Sequence, residues 1–314
     1  MWAYRLEAPM RFARHEVDIP AEATLAPGQV LLRFLAGGIC GSDMTRCRDG
    51  YVLDGPEPFG RSLHEIVGEV VASRADLDVG ERVVGWVVDL CGLREYAPTS
   101  ANELLPVPAG LGHAHAVTLQ PLACVLHALS RIPDVVGVRA AVIGLGPIGL
   151  LFAHALKDLG AASVVGVDVV DRSDVAATFG LDAVVQRTSR TWARTAPDAF
   201  DLVIEAVGHQ VGTLDDAITV AAHNGTVLYF GIPDDPFYPV RFGPLMDKNL
   251  VLRFGRTPRS DRRQALREAA AYVTRHPDLP REYVTHVLPV TEAQAAFEMG
   301  SRPARGQLKV VLEA

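Results

Sequence analysis

The chain has 314 residues, of which 49% are hydrophobic and 21% charged, and its formal net charge is -7. This length exceeds what one hydrophobic core usually serves, so two domains are expected. The negative net charge gives no electrostatic basis for nucleic acid or an anionic membrane as a partner. No apolar run reaches the roughly 18–20 residues that a membrane-spanning helix needs.

The N-terminal segment and the cysteines indicate a cytoplasmic protein. The opening segment, MWAYRLEAPMRFARHE, carries charges where a secretory signal peptide needs an uninterrupted apolar stretch. The cysteines are too few for a disulfide framework in a chain of this length; they are Cys40, Cys47, Cys91 and Cys124. We therefore expect reduced thiols and a cytoplasmic location.

Short β-rich runs separated by Gly, Pro and Asp occupy the first part of the chain. Residues 28–36, 64–73 and 79–88 have the composition and length of antiparallel strands. From about residue 115, apolar side chains recur at i, i+3 and i+4, which predicts a helix through HAVTLQPLACVLHALSRI. This part of the chain is therefore expected to form a compact β-rich domain that ends in a helix.

Strands and helices alternate in the middle of the chain. The predicted strands are 140–144, 162–168, 201–208 and 225–233, and the predicted helices are 147–160 and 213–225. Nearly continuous apolar strands of this kind are typical of a parallel sheet covered by helices on both faces. A charged helix at 260–276 and a last strand, QLKVVLEA, follow. We predict a domain at 128–271 inserted into a discontinuous β-rich domain formed by 1–127 and 272–314.

The segment GLGPIG has the glycine spacing of a dinucleotide-binding turn, and it follows a predicted strand and opens a predicted helix. Gly144 permits the tight turn, Gly146 lets the backbone approach a pyrophosphate, and Gly149 allows close helix–strand packing. Pro147 and Ile148 begin the helix, whose free N–H groups favour phosphates. A glycine turn in a fold that binds nothing is the alternative.

Three further positions are candidate cofactor contacts. Asp168 ends the next strand, where a carboxylate accepts hydrogen bonds from the adenosine ribose and repels a 2′-phosphate. It favours NAD over NADP, although Arg172, four residues on, leaves NADP open. Gly208 and Gly231 end later strands at the carboxyl edge of the predicted sheet, so their backbone is a candidate contact for the nicotinamide half.

Cys40, His64 and Glu65 are candidate zinc ligands. Zinc prefers thiolate, imidazole and carboxylate, and a catalytic site uses three protein ligands with one open position. The spacing alone does not decide this, because each residue also has an ordinary structural interpretation. These are a small buried cysteine, a histidine at a strand end and a solvated glutamate.

An ordered set of motifs carries a family resemblance: GICGSD, HEIVGEVV, VGERVV, QPLACVLHAL and GLGPIG. In this order they resemble the zinc-dependent medium-chain alcohol dehydrogenases, and the polyol and sugar dehydrogenase branch in particular. The resemblance runs from about residue 28 to the C-terminal GQLKVVL. It implies an α/β fold with a GroES-like β-rich catalytic domain, a Rossmann domain with a doubly wound parallel sheet, and a homodimer or homotetramer.

The same resemblance implies roles for the polar residues. One catalytic zinc would have the ligands Cys40, His64 and Glu65. Ser42 would hand the proton of the substrate alcohol towards solvent, and Asp43 would orient the ring of His64. Thr45 stands where some alcohol dehydrogenases carry a relay histidine, so the outer part of the proton path differs.

The chain departs from the family pattern at three places. Leu63 precedes the His–Glu pair, where the family has glycine. Gln120 stands where the polyol branch has a glutamate that binds zinc directly or through its water; a neutral amide is a poorer ligand, and Cys124, one turn on, is an alternative. The four-cysteine loop for a structural zinc is absent, and only Cys91 remains in that stretch, so no second zinc is expected.

The predicted function is NAD-dependent interconversion of a secondary alcohol and its ketone, with a small molecule of the polyol, sugar or cyclitol class as substrate. Two alternatives stay open. A zinc-free reductase of the same fold, acting on an enone, quinone or ketone, would keep its activity without Cys40. A non-catalytic NAD-binding protein would bind the nucleotide without turnover.

Overall fold

The structure is a computed structural model, and it describes residues 1–49 and 58–314. Its contacts divide the chain into two compact units. Unit 1 comprises Met1–Ala123, Pro258–Arg302 and Gln307–Ala314, and unit 2 comprises Cys124–Thr257 and Pro303–Gly306. Within the described ranges, no helix has the length and apolar character needed to cross a membrane.

Strands predominate in the N-terminal part of the chain, whose last helix runs from unit 1 into unit 2. In chain order the elements are β1 (Trp2–Ala8), β2 (Arg11–Glu16), β3 (Gln29–Gly38), α1 (Gly41–Asp49), β4 (Glu65–Ser73), β5 (Arg82–Trp86), β6 (Tyr96–Ser100), β7 (Leu104–Pro106), α2 (His113–Ala116) and α3 (Leu119–Ser130). The predicted strands correspond to β3, β4 and β5, and the predicted helix is divided into α2 and α3. β1 and β2 form an antiparallel hairpin.

Unit 2 alternates strands and helices. Its elements are β8 (Arg139–Ile143), α4 (Pro147–Asp158), β9 (Ser163–Asp168), β10 (Ala183–Gln186), α5 (Ser189–Ala193), β11 (Phe200–Glu205), α6 (Val211–Val220), β12 (Ala221–Tyr229), α7 (Phe242–Asp247) and β13 (Val251–Phe254). The strands are parallel and lie in the order β10-β9-β8-β11-β12-β13. The strand order reverses between β8 and β11, and doubly wound sheets bind ligands in the crevice at such a switch point.

The helix predicted at 213–225 ends earlier than its sequence pattern suggests. α6 stops at Val220, and Ala221 is extended and pairs with Phe200 of β11. Asn224 then takes a left-handed φ of 60°, and its N–H donates to the Lys248 carbonyl at 2.7 Å. The apolar residues after α6 therefore enter the sheet, because pairing with β11 buries their backbone groups in satisfied hydrogen bonds.

The C-terminal part of the chain completes the larger sheet of unit 1. Its elements are α8 (Arg262–Arg275), α9 (Leu279–Tyr283), β14 (Val284–Pro289), α10 (Ala293–Gly300) and β15 (Lys309–Glu313). The strand order is β14-β15-β3-β4-β5-β7, with β6 also paired to β3. β15 pairs antiparallel with β3 and places Val311 opposite Gly38. The C-terminal strand thus lies beside the strand that leads to Cys40.

The α/β fold class predicted from the sequence is confirmed by these two sheets. The domain limits drawn from the sequence, with 128–271 as the inserted domain, stay a prediction.

Candidate active site and metal centre

The start of α1 fixes the backbone of the candidate cysteine ligand. Cys40 directly precedes α1, and its N–H donates to Oδ2 of Asp43 at 3.0 Å. In return, the N–H of Asp43 donates to the Cys40 carbonyl at 3.0 Å. The Asp43 carboxylate thus satisfies the N–H of the residue before the helix, as the acidic residue of a capping box does. The thiol of Cys40 stays partly exposed.

The same aspartate orients the candidate histidine ligand. Nδ1 of His64 lies 3.1 Å from Oδ1 of Asp43, which is fully buried. Because Nδ1 faces the carboxylate, Nε2 is the ring nitrogen left for a metal. Burial opposes a charge on the imidazole, but Asp43 and then Cys40 outweigh it and raise the pKa of His64 well above its usual value.

The fold brings the three predicted metal ligands together. Cys40, His64 and Glu65 each offer one ligand atom, and these atoms lie within 4.8 Å of one another. Thiolate, imidazole and carboxylate form the donor set that Zn²⁺ prefers, so the residues present fit zinc. Ser42 and Thr45 lie on the first turns of α1 and are partly exposed.

Glu65 has a second partner that the sequence analysis missed. The ammonium nitrogen of Lys309 lies 2.8 Å from Oε1 and 2.6 Å from Oε2 of Glu65. It also donates to the Ile39 carbonyl at 3.0 Å. Burial opposes the charge of Lys309, yet the carboxylate of Glu65 raises its pKa above the usual value. Lys309 therefore balances the charge of Glu65 and would share this carboxylate with a metal.

A glycine makes room for this ion pair. A Cβ at Gly38 would lie 2.4 Å from Oε2 of Glu65 and 3.2 Å from Cε of Lys309. Lys309 follows Glu65 by 244 residues, so no local spacing links them. The available signal was a lysine directly before the apolar run VVL of the C-terminal strand, since a charge in a buried strand requires a partner.

Two departures from the family pattern occupy buried positions. Leu63 is fully buried, and a Cβ at Gly37 would lie 2.4 Å from its Cδ2, so the bare backbone of Gly37 accommodates this side chain. Gln120 is 2% exposed near the start of α3. Cys124, one turn further on, belongs to unit 2 by its contacts, and its role as a ligand stays a prediction.

The dinucleotide motif lies at the end of β8 in unit 2. Gly144 has a φ of 90°, and a Cβ at Gly149 would lie 1.8 Å from the Gly144 carbonyl oxygen. Gly146 caps α4, which begins with Pro147 and Ile148. The turn and the close packing therefore require glycine where the sequence pattern predicts it.

Asp168 and Arg172 both make contacts inside unit 2. Oδ2 of Asp168 accepts the N–H of Leu145 at 2.6 Å, and Oδ1 accepts the N–H of Val170 at 2.8 Å. The carboxylate thus ties the end of β9 to the dinucleotide motif. Arg172 is 2% exposed, and its Nη1 donates to the Ala304 carbonyl at 2.8 Å.

Gly208 and Gly231 approach each other closely in the turns that follow β11 and β12. Gly208 has a φ of 62°, and a Cβ there would lie 2.5 Å from the Ile232 nitrogen. A Cβ at Gly231 would lie 2.2 Å from the Gly208 nitrogen. Both turns are at the carboxyl edge of the sheet, where β11 adjoins β8.

The chain is similar in sequence to known proteins. Residues 26–127 match the family described as Alcohol dehydrogenase GroES-like domain, and residues 147–271 match that described as Zinc-binding dehydrogenase. The D-altritol 5-dehydrogenase of Agrobacterium fabrum is 31% identical to the chain over 67% of this chain and 71% of that protein. The chain belongs to the zinc-type medium-chain alcohol dehydrogenase family.

Further relatives extend the similarity of this medium-chain alcohol dehydrogenase over its whole length. D-arabinitol dehydrogenase 1 of Uromyces fabae is 26% identical over 96% of this chain and 95% of that protein. The solved structure of the alcohol dehydrogenase TADH from Thermus sp. ATN1 is 25% identical, has a TM-score of 0.86 and is covered over 100% of both chains. The predicted family, its GroES-like and Rossmann folds, and the prediction that the chain is an enzyme are confirmed.

Proposed function

We propose that this alcohol dehydrogenase interconverts a secondary alcohol of the polyol, sugar or cyclitol class and its ketone, with NAD as hydride acceptor and one catalytic zinc per chain. The cluster of Cys40, His64 and Glu65 within 4.8 Å carries the proposal. The relatives named for D-arabinitol and D-altritol support a polyol-like substrate.

The metal would be held by Cys40 and His64, with Glu65 as the ligand that Lys309 shares. When bound there, zinc supplies Lewis-acid polarisation of the substrate oxygen. Asp43 keeps Nε2 of His64 available by holding Nδ1 at 3.1 Å.

The proton path would begin at Ser42. Its side chain is partly exposed and sits on α1 two residues after Cys40, so its hydroxyl would accept the alcohol proton while it passes its own proton on. Thr45 is three residues further along α1, a spacing that makes helix side chains neighbours, and it would continue the path towards water. Gln120 would present a neutral amide near the metal, where the polyol branch of the family has a carboxylate.

Unit 2 supports the cofactor proposal. The N–H groups at the start of α4 would hold the pyrophosphate. Asp168 keeps further lone pairs for the ribose hydroxyls, and its charge disfavours a 2′-phosphate. Arg172, which left NADP open, donates to a carbonyl inside the protein. Gly208 and Gly231 would border the nicotinamide half.

Initial-rate assays on a panel of polyols and cyclitols, with NAD and with NADP, test this proposal. We expect turnover with NAD, loss of activity in Cys40→Ala, and a fall in kcat of about 10²-fold in Ser42→Ala. Cys91→Ala is the matched control, since this buried cysteine lies outside the ligand cluster. Full activity in Cys40→Ala would favour the zinc-free reductase, and NADH binding without any turnover would favour the non-catalytic protein.

We also propose that the protein is a homodimer or a homotetramer, and that β13 forms one of its interfaces. β13 ends the strand order of the parallel sheet, and its Val251 and Phe254 are exposed apolar residues. Exposed apolar edge strands are surfaces on which a second chain can pair. Light scattering should give the mass of a dimer or a tetramer for the wild type and a smaller mass for Phe254→Lys; a monomeric wild type, or the same mass in both proteins, would contradict this.

A further inference from the structure

Glu205 occupies the switch point of the parallel sheet. It is the last residue of β11, and it pairs with Ile143 of β8 on one side and with Tyr229 of β12 on the other. The dinucleotide motif begins at Gly144, directly after Ile143. Glu205 is fully buried, although a carboxylate rarely occupies such a position without bound partners.

The carboxyl of Glu205 binds the turn that follows it. Oε1 accepts the N–H of Val207 at 3.1 Å and the N–H of Gly208 at 3.0 Å. Burial raises the pKa of Glu205, and these N–H groups partly offset that effect. The other oxygen, Oε2, faces Gly231, where a Cβ would come within 2.5 Å of it.

Three turns of the candidate crevice meet around this carboxyl. A Cβ at Gly144 would lie 2.7 Å from Cγ2 of Val207, so the turn after β11 rests against the dinucleotide motif. The same turn contacts the one after β12, where Gly208 and Gly231 approach each other. Without Glu205, the N–H groups of Val207 and Gly208 would lack a buried acceptor, and the turn would have to rearrange.

We propose that Glu205 is a positioning residue for the nicotinamide dinucleotide. Its carboxyl holds residues 206–208 against the turn at Gly231, in the shape against which the cofactor binds, and it acts through that backbone. The inference rests on the cofactor part of the proposed function.

The test measures NADH binding by fluorescence in full-length variants, at a temperature where circular dichroism shows each to be folded. Glu205→Met removes the oxygen that accepts both N–H groups and should raise the NADH Kd at least about 10-fold, the effect of leaving buried N–H groups unsatisfied. Glu205→Gln keeps a carbonyl for the two N–H groups, so its Kd should rise less than about 3-fold. At saturating NAD, kcat should change far less than the KM for NAD.

Asp201→Asn is the matched control. Asp201 lies on the same strand near its opposite end and holds the backbone and guanidinium of Arg139. This change should lower Tm and leave the NADH Kd unchanged. If Glu205→Met does not fold, Glu205→Asp, which withdraws the carboxyl by one methylene, takes its place with the same expected loss.

Wild-type affinity in Glu205→Met, or an equal loss in Asp201→Asn, would overturn the inference alone. If the wild type bound NADH but turned over no alcohol, a loss of NADH binding in Glu205→Met would support the inference and contradict only the proposed reaction. If the wild type bound neither NADH nor NADPH, that result would contradict both the inference and the cofactor proposal.

Discussion

The ammonium nitrogen of Lys309 lies 2.6 Å from Oε2 of Glu65, and the two side chains are 2% and 1% exposed. A carboxylate that the family resemblance assigns to a metal is therefore also balanced by a cation from the C-terminal strand. Breaking a buried ion pair is costly because one charge is left without a partner. The candidate metal centre and β15 are thus coupled energetically.

Lys309→Met tests this coupling. In the metal-free protein, the change should lower the free energy of unfolding by about 3–5 kcal/mol, because Glu65 stays buried and charged. Added zinc should then raise Tm more in the variant than in the wild type, since the metal can take over the charge of Glu65. Thermal unfolding with and without zinc measures both effects, with Lys309→Arg as the charge-conserving control. An equal zinc-induced shift in variant and wild type would show that Lys309 and the metal do not compete.

Asp168→Asn tests the choice of cofactor. The amide keeps an acceptor for a backbone N–H but loses the charge that disfavours a 2′-phosphate, so the ratio of kcat/KM for NAD to that for NADP should fall. We expect a fall of about 10-fold, which corresponds to about 1.4 kcal/mol. Asp171→Asn, which changes a nearby carboxylate paired with Arg305, should leave the ratio unaltered. The same ratio in Asp168→Asn and the wild type would show that Asp168 does not select the cofactor.

Ser62 carries backbone strain two residues before His64. It is fully buried and has a φ of 97°, a backbone conformation that residues other than glycine rarely adopt. Ser62→Gly should relieve this strain and stabilise the protein by about 1 kcal/mol, with a rise in Tm of about 2–4 °C. Ser100→Gly, at an ordinary φ of -78°, should lower Tm instead. A lower Tm in Ser62→Gly would mean that the side chain of Ser62 stabilises the fold by more than the backbone strain destabilises it.

The bidentate pair of Asp201 and Arg139 gives stability that depends on pH. Hydrogen bonding to Arg139 lowers the pKa of Asp201 in the folded protein. The stabilisation is therefore present above the pKa of the unfolded carboxyl and is lost as pH falls through the lowered value. The Tm of the wild type should exceed that of Asp201→Asn at neutral pH, and the difference should vanish in acid. If the Tm difference between the wild type and Asp201→Asn stayed constant from neutral to acid pH, packing rather than the charge of Asp201 would explain it.

Local patterns predicted the parts of the site that depend on neighbours in sequence. The dinucleotide motif was predictable because Gly144 and Gly149 satisfy constraints of one turn and one helix start. The cluster of Cys40 and His64 required the family resemblance, since strand pairing brings together residues that are distant in sequence.

Two features could not be predicted because they arise from tertiary packing. Lys309 reaches Glu65 only because β15 lies beside β3. Glu205 gains its importance from the strand order, which places it between β8 and β12. Each is a buried charged residue at the end of an apolar run, since Lys309 precedes VVL and Glu205 follows LVI, and that burial is the signal that both share.

The zinc content of the purified protein, prepared without chelator, tests the central claim most directly. Elemental analysis should give about one zinc per chain in the wild type and in Cys91→Ala, and less than about 0.1 in Cys40→Ala and in His64→Ala, because catalytic sites bind zinc tightly through such ligands. Less than about 0.2 zinc per wild-type chain, or full zinc content in Cys40→Ala, would contradict the proposed metal centre.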